Sequence, residues 1–214
     1  MNADFESERR LMVEGQIKAR GVHDPRLLAA FEAVPRHVFV PAWHREYAYQ
    51  DMAVPIGSDQ TISQPYMVAV MTDLLGLRGG ERVLEVGTGS GYQSAILSRM
   101  AGEVHTVEFI PALAKAARKL LDSMGLKNIR FHVGDGSLGW PAAAPYDGIL
   151  VTAGAPGVPP PLLKQLADEG ALVIPVKEKD GQVLQVWKRT GSGFASRTLF
   201  NVAFVPLRGK YGQK

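Results

Sequence analysis

The sequence predicts an α/β fold: a doubly wound, largely parallel sheet with an N-terminal helical extension and a C-terminal antiparallel hairpin. Three observations carry that prediction. Strand-like and helix-like runs alternate from residue 82 to residue 176, the pattern that buries a parallel sheet under helices on both faces. Residues 83–93 read VLEVGTGSGYQ, an apolar strand, glycines at every second position, then a helical run. Beyond residue 176 the alternation stops. Two strand-like runs, 183–188 and 197–205, have only a Gly-Ser-Gly turn between them, which reads as a hairpin.

The elements follow in order. Residues 6–20 read as a helix, with Leu11, Met12, Ile17 and Ala19 forming an irregular apolar stripe. Asp24 followed by Pro25 starts the next helix, since the carboxylate caps free N–H groups and proline suits the first turn. That helix carries Leu27, Leu28, Ala30 and Phe31 and ends near Val34, because Pro35 disfavours helix behind it. Residues 35–65 show no period but hold four prolines and the aromatics Phe39, Trp43, Tyr47 and Tyr49. So long an irregular stretch in a compact domain is usually functional, and its aromatics suit a loop packed on the core. A helix follows over 65–75. Strands are expected at 82–86, 104–108, 129–133, 146–151 and 171–176, and helices at 92–100, 111–124 and 160–167. With 214 residues, 46% of them hydrophobic, the chain can bury one substantial core. It reads as one domain, 1–214, divided into an N-terminal segment 1–65, an α/β core 66–176 and terminal strands 177–214.

Composition excludes several classes. The net charge is +3, and no Lys/Arg run interleaves with aromatics, so no nucleic-acid partner is expected. The absence of cysteine removes disulfides, zinc–thiolate sites and thiol catalysis. The charged start MNADFESERR lacks the apolar core of a signal peptide. No stretch reaches the roughly 20 apolar residues of a membrane span, so the expectation is a cytoplasmic protein without a membrane. His23, His37, His44, His105 and His132 are scattered; each reads as an ordinary packed or surface residue, and no metal is expected.

In a doubly wound sheet the ligand lies across the C-terminal strand ends, where the strand order reverses. Gly87, Gly89 and Gly91 let the chain turn sharply and approach a ligand there, with free N–H groups opening the next helix. A dinucleotide fingerprint needs glycine or alanine at the sixth place, which is Tyr92. The lysine of a phosphate-binding P-loop is missing, and so is the flanking glycine pair of a nucleophile elbow. What remains resembles the glycine loop of S-adenosylmethionine-dependent methyltransferases. A parallel sheet finished by an antiparallel pair likewise resembles their Rossmann-like class I architecture. Three acidic residues fall at successive strand ends. Glu85 lies just before the loop. Glu108 lies roughly 20 residues after it, where a carboxylate typically accepts from both ribose hydroxyls. Asp135, in Gly134-Asp135-Gly136, is placed to accept from an adenine amino group. After the fourth strand the run VTAGAP lacks the [DN]-P-P-[YF] signature of methyltransferases acting on amino groups of DNA bases.

The substrate signal lies elsewhere. PRHVFVP (35–41), VPIGSDQTISQP (54–65), Gly134-Asp135-Gly136, APYDGILVTAGAP (144–156) and FVPL (204–207) join the glycine loop in one order along the chain. Together they closely resemble the protein-L-isoaspartate (D-aspartate) O-methyltransferase family. The resemblance covers nearly the whole chain, and TISQP ahead of such a loop is its most specific part. Asp59 departs from the pattern, standing where family members often have glycine before QTIS. The resemblance implies methyl transfer from S-adenosylmethionine, leaving S-adenosylhomocysteine, to the free α-carboxylate of L-isoaspartyl residues in damaged proteins and peptides. The methyl ester then opens repair through a succinimide. It further implies Ser63 as the residue nearest the chemistry, orienting the carboxylate; a helix N-cap is the alternative role for that serine. Gln60, Thr61, Ile62, Ser63, Glu85, Gly87, Thr88, Gly89, Gly91, Glu108, Phe109, Asp135 and Gly136 are the expected cofactor residues. Ile56, Ser63 and Val205 are expected on the substrate side, Ile56 and Val205 equally as packing residues. A monomer is expected. Two other readings stand beside it: a methyltransferase with another acceptor, such as a small acid or RNA, and a silent binder of cofactor or damaged peptide. The order of the last two strands is left open.

Overall fold

A computed structural model describes residues 4–213. The N-terminal run is helical throughout but changes winding. Helix α1 (Phe5–Met12) passes into a π-helical turn (Val13–Ile17) and a 3-10 turn (Lys18–Arg20), ending at Gly21 in the left-handed region. The expected irregular stripe explains the switch: the widened turn brings Met12, Val13 and Ile17 all into the core. Helix α2 (Pro25–Ala33) starts as expected, with Asp24 accepting from the Arg26 N–H at 2.8 Å.

Residues 35–65 are more ordered than their pattern suggests. Two 3-10 segments, Arg36–Phe39 and Ala42–Tyr47, precede a small antiparallel pair, β1 (Val54–Gly57) and β2 (Gln60–Ile62). The strands are too short for a period, and Pro55 lies inside the first. Their turn is Ser58-Asp59, with φ of 54° and 56°. Aspartate tolerates that left-handed region better than most residues, so Asp59 fits the turn without a glycine.

The remaining elements are α3 (Pro65–Asp73), β3 (Arg82–Val86), α4 (Tyr92–Met100), β4 (Glu103–Glu108), α5 (Pro111–Ser123), β5 (Ile129–Val133), β6 (Tyr146–Val151), α6 (Pro160–Lys164), β7 (Leu166–Glu178), β8 (Gly181–Thr190) and β9 (Gly193–Val202). The seven-stranded sheet runs β5-β4-β3-β6-β7-β8-β9. It is parallel from β5 to β7, and β8 is antiparallel to both of its neighbours. This is the class I methyltransferase sheet, with its last two strands in sequence order. The sixth helix is shorter than expected and β7 longer. Leu166 already pairs with Tyr146, and the register jumps before Ala171 pairs with Gly148. Gly170 makes the jump feasible, since a Cβ there would fall 2.9 to 3.1 Å from three carbonyl oxygens. At the far end, β9 stops at Val202 because the Gln182 side chain takes over both backbone groups of Phe204.

The sheet carries a core on each face. One face packs Val83, Val104 and Leu150 against α4 and the N-terminal helices through Met12, Ile17, Leu27, Phe31 and Ile96. The other packs Leu84, Val86, Ile149 and Leu172 against Leu162 of α6, Trp140 and Leu207 of the tail.

Candidate active site

A cavity opens at the C-terminal ends of β3, β4 and β6, at the place where the strand order reverses. Gly87, Thr88, Gly89 and Ser90 form one wall, and Glu108, Phe109 and Ile110 a second. Gly136 follows β5, Thr152 and Ala153 follow β6, residues 60–63 close one side, and residues 205–208 of the tail close another. The glycines act differently from one another. At Gly87, with φ of 98°, a Cβ would fall 2.3 Å from Thr152 Oγ1, and that hydroxyl donates to the Gly87 carbonyl at 2.7 Å. The loop and the end of β6 therefore approach only because no side chain intervenes. At Gly89, with φ of 54°, a Cβ would meet nothing closer than Ile56 Cδ1 at 3.8 Å, leaving room on that side.

The three acidic residues have separate surroundings. Glu108 is buried and lines the cavity. One oxygen accepts from the Gly89 N–H at 2.8 Å and the other from the Ile110 N–H at 2.9 Å, which fixes the carboxylate and leaves further lone pairs for a ligand. Glu85 is fully buried under the loop and outside the cavity lining. Strand alternation turns it toward α4, whose Ser94 hydroxyl donates to it, as does that of Thr106 on β4; Thr106 in turn bonds Thr88 at 2.6 Å. Burial pushes the Glu85 carboxyl up to about 8 against the pull of those two hydroxyls, and nearby Glu108 adds to the rise. Asp135 also stands outside the lining, while Gly136 is in it. Its oxygens accept from Ser137 N–H and hydroxyl at 2.9 and 2.6 Å and from Lys210 N–H at 2.7 Å. Gly209 permits this contact, since a Cβ there would overlap the Asp135 carboxylate.

Ser63 lines the cavity. The N-cap of α3 is Gln64, without a side-chain cap bond, and among the described residues the Ser63 hydroxyl makes no hydrogen bond. The serine is therefore not the cap. Ser63, Thr61, Thr152 and Val205 also line a second, outer groove, together with Asp51, Met52, Met67 and Asn201. These four residues form the partition between cavity and groove. The Val205 carbonyl accepts from Gly154 N–H at 2.8 Å. Ile56 and Gly91 lie outside both linings; Gly91 opens α4 at φ of 89°, close against Leu121.

Of the expected residues, Gln60, Thr61, Ile62, Ser63, Gly87, Thr88, Gly89, Glu108, Phe109, Gly136 and Val205 share the one cavity. Sequence reasoning missed Thr152 and the tail residues Pro206, Leu207 and Arg208. Thr152 directly follows the fourth strand, so the strand-end rule itself carried that signal; the tail had none beyond FVPL. It also missed a pairing of histidines. His105 and His132 are adjacent across β4 and β5, with Nδ1 and Nε2 3.0 Å apart and His132 stacked on Trp140.

A doubly wound sheet with a glycine loop that lacks the dinucleotide and P-loop fingerprints, and a fixed carboxylate closing its second strand, defines a class I S-adenosylmethionine-dependent methyltransferase. The residues present fit that cofactor: open room at Gly89, the lone pairs of Glu108, and the exposed Phe109 ring on the wall beside it. Comparison with known proteins narrows the class. The family model described as protein-L-isoaspartate(D-aspartate) O-methyltransferase matches residues 7–212. A protein-L-isoaspartate O-methyltransferase of Syntrophotalea carbinolica (strain DSM 2380 / NBRC 103641 / GraBd1) is 52% identical over 98% of this chain and 97% of its own. One of Methanoregula boonei (strain DSM 21154 / JCM 14090 / 6A8) is 53% identical over 96% and 94%. A Plasmodium falciparum structure described by the same enzyme name, in complex with S-adenosyl-L-homocysteine, superimposes with a TM-score of 0.82 at 26% identity, covering 97% of this chain and 99% of that one. The chain belongs to the protein-L-isoaspartate O-methyltransferase family.

Proposed function

We propose that the cavity and the outer groove are the two halves of one methyl-transfer site, meeting at Ser63. The protein methylates the free α-carboxylate of L-isoaspartyl residues in damaged proteins and peptides, using S-adenosylmethionine. The observation that carries the site assignment is the partition: Thr61, Ser63, Thr152 and Val205 face both spaces. Gly87, Thr88 and Gly89 with residues 60–62 hold the cofactor, Glu108 accepts from its ribose hydroxyls, and Phe109 and Gly136 flank its adenine. Glu85 and Gly91 support the loop from behind, and Asp135 acts at the adenine end by fastening the tail. The peptide lies in the groove against Val205, with Ile56 at the rim.

The cofactor supplies an electrophilic methyl group on a positively charged sulfur. A carboxylate of pKa near 4 is ionised at neutral pH, so no general base is needed. The chain's task is alignment, which can contribute roughly 7–11 kcal/mol when the reacting atoms are held in line. Ser63 donates its free hydroxyl to one carboxylate oxygen and aims the other. The start of α3, two residues on, adds the positive end of a helix dipole. A synthetic isoaspartyl peptide should form a base-labile methyl ester, while its ordinary aspartyl counterpart and RNA stay unlabelled. Equal labelling of the two peptides would remove the specificity.

The oligomeric state we propose is a monomer, which size-exclusion chromatography with light scattering tests. The N-terminal helices share a core with the sheet, which supports one domain over 1–214. Among the described residues no helix is long and apolar enough to cross a membrane. A cysteine-free chain needs no oxidising compartment, and we place the protein in the cytoplasm, to be checked by cell fractionation.

A further inference from the structure

We propose that Arg36 is the positioning residue that fixes Ser63 relative to the glycine loop. Arg36 is fully buried, a rare state for a charged side chain unless it is paired, yet among the described residues no carboxylate pairs with it. Its guanidinium instead spans three separate segments of the chain, two of which reach the site. Nε donates to the Ala48 carbonyl and Nη2 to the Ser63 carbonyl, each at 2.7 Å. Its central carbon lies 4.9 Å above the centre of the Tyr92 ring, and Tyr92 is the first residue of α4, directly after the glycine loop.

A buried cation without a counter-ion is costly, and an apolar side chain of similar volume would fill the same space at less expense. What the apolar side chain lacks is the fork. Two donors in one rigid plane lock two carbonyls at a set separation while the flat face rests on an aromatic ring. One carbonyl belongs to Ser63 itself, so the fork sets the height of the serine over the partition. The ring anchors the same group to the wall that holds the cofactor. Methyl transfer needs acceptor oxygen, methyl carbon and sulfur in line, and an error of about 1 Å can cost about a hundredfold in rate. Burial lowers the Arg36 pKa to about 10, so the group stays charged at neutral pH and keeps its donors.

This inference rests on the orienting role given to Ser63. Arg36→Lys, Arg36→Met, Ser63→Ala and the double variant Arg36→Met/Ser63→Ala test both, with kcat and KM on an isoaspartyl peptide and S-adenosylhomocysteine affinity by calorimetry. Lysine reaches one carbonyl but not both. The lysine variant should lose about tenfold in kcat and the methionine variant about a hundredfold, with product affinity held within about threefold of the parent. The double variant should be nearly as active as the slower of its parents, because the two residues act through one contact. Parental kcat in both Arg36 variants while Ser63→Ala is slow would overturn the proposal. So would a parallel loss of kcat and product affinity, or failure of both variants to fold, since Arg36 would then be general scaffold. Parental kcat in Ser63→Ala alone would instead overturn the reading of the serine.

Discussion

Ser63 derives its chemistry from what its neighbours leave undone. Gln64 takes the capping position of α3, Arg36 takes the Ser63 carbonyl, and the hydroxyl is left without a partner among the described residues, on a residue that lines both cavity and groove. Ser63→Ala should therefore lower kcat about ten- to hundredfold and leave S-adenosylhomocysteine affinity close to the parent. A lost helix cap would instead cost about 1 kcal/mol of stability with little effect on rate. Steady-state kinetics, calorimetry and a thermal melt on the same variant separate the two; an unchanged rate with a lowered melting temperature would favour the cap. At this scale the sequence was legible where an element's end defines direction. Glu108 closes β4 and its side chain faces the cavity, as its position implies. Glu85 lies one residue short of the end of β3, in register with Thr106, so it sits on the same face as Glu108 but one side-chain step deeper, beneath α4 and below the open strand end. Arg36 was not legible at all, because nothing in a non-periodic stretch distinguishes a buried arginine from a solvated one.

The elements were most legible where their period was strong. From β3 to β6, strand and helix limits match expectation to within one residue at each end, because apolar strand runs and helical runs succeed one another regularly and many of their limits are marked by glycine or proline. The β1–β2 pair was hidden because its strands are too short to show a period, and the early start of β7 because it depends on the pairing of Leu166 with Tyr146, distant in sequence. The glycine loop shows the limit from the other direction, since its spacing announces a ligand but does not say which glycine does what. Gly87 is needed for the approach of Thr152, whereas Gly89 borders open space. Gly89→Val places a β-branched side chain at φ of 54° and fills that space. Its S-adenosylhomocysteine affinity should fall at least about a hundredfold, the 1–3 kcal/mol of strain being added to the lost room. Calorimetry showing parental affinity would sink the assignment of the loop to the cofactor.

On the scale of the whole molecule, the two faces of the sheet carry titrating groups that pull stability in opposite directions. Glu85, on the face packed by α4, has a folded pKa of about 8, raised first by burial above the carboxylate value of 4.5. The folded chain keeps a proton that the unfolded chain releases, so this contribution is complete below about pH 4.5 and is lost as pH rises through 8. His132, beside Trp140 on the other face, has a folded pKa of about 4, lowered from 6.5 first by burial and then by neighbouring His105. Its contribution is complete above about pH 6.5 and is lost as pH falls through 4. His105 is lowered in the same direction, chiefly by burial, and protons on both rings together would leave no acceptor nitrogen for the 3.0 Å contact between them. Stability should therefore peak in mildly acidic solution and fall on both sides. The sequence could not have disclosed this balance, because it shows five scattered histidines and three strand-end acids, and only the parallel register of β4 with β5 sets His105 beside His132. Glu85→Gln should flatten the alkaline limb, by a few kcal/mol on the order expected for so large a shift. His132→Asn should flatten the acid limb and leave the alkaline one alone. Urea unfolding of the parent and both variants between about pH 4 and 9 reads the two limbs separately. If the parent and Glu85→Gln lost stability in parallel from mild acid to alkali, the buried proton on Glu85 would be excluded as the cause. If His132→Asn followed the parent through the acid limb, the stacked histidine pair would carry no part of it.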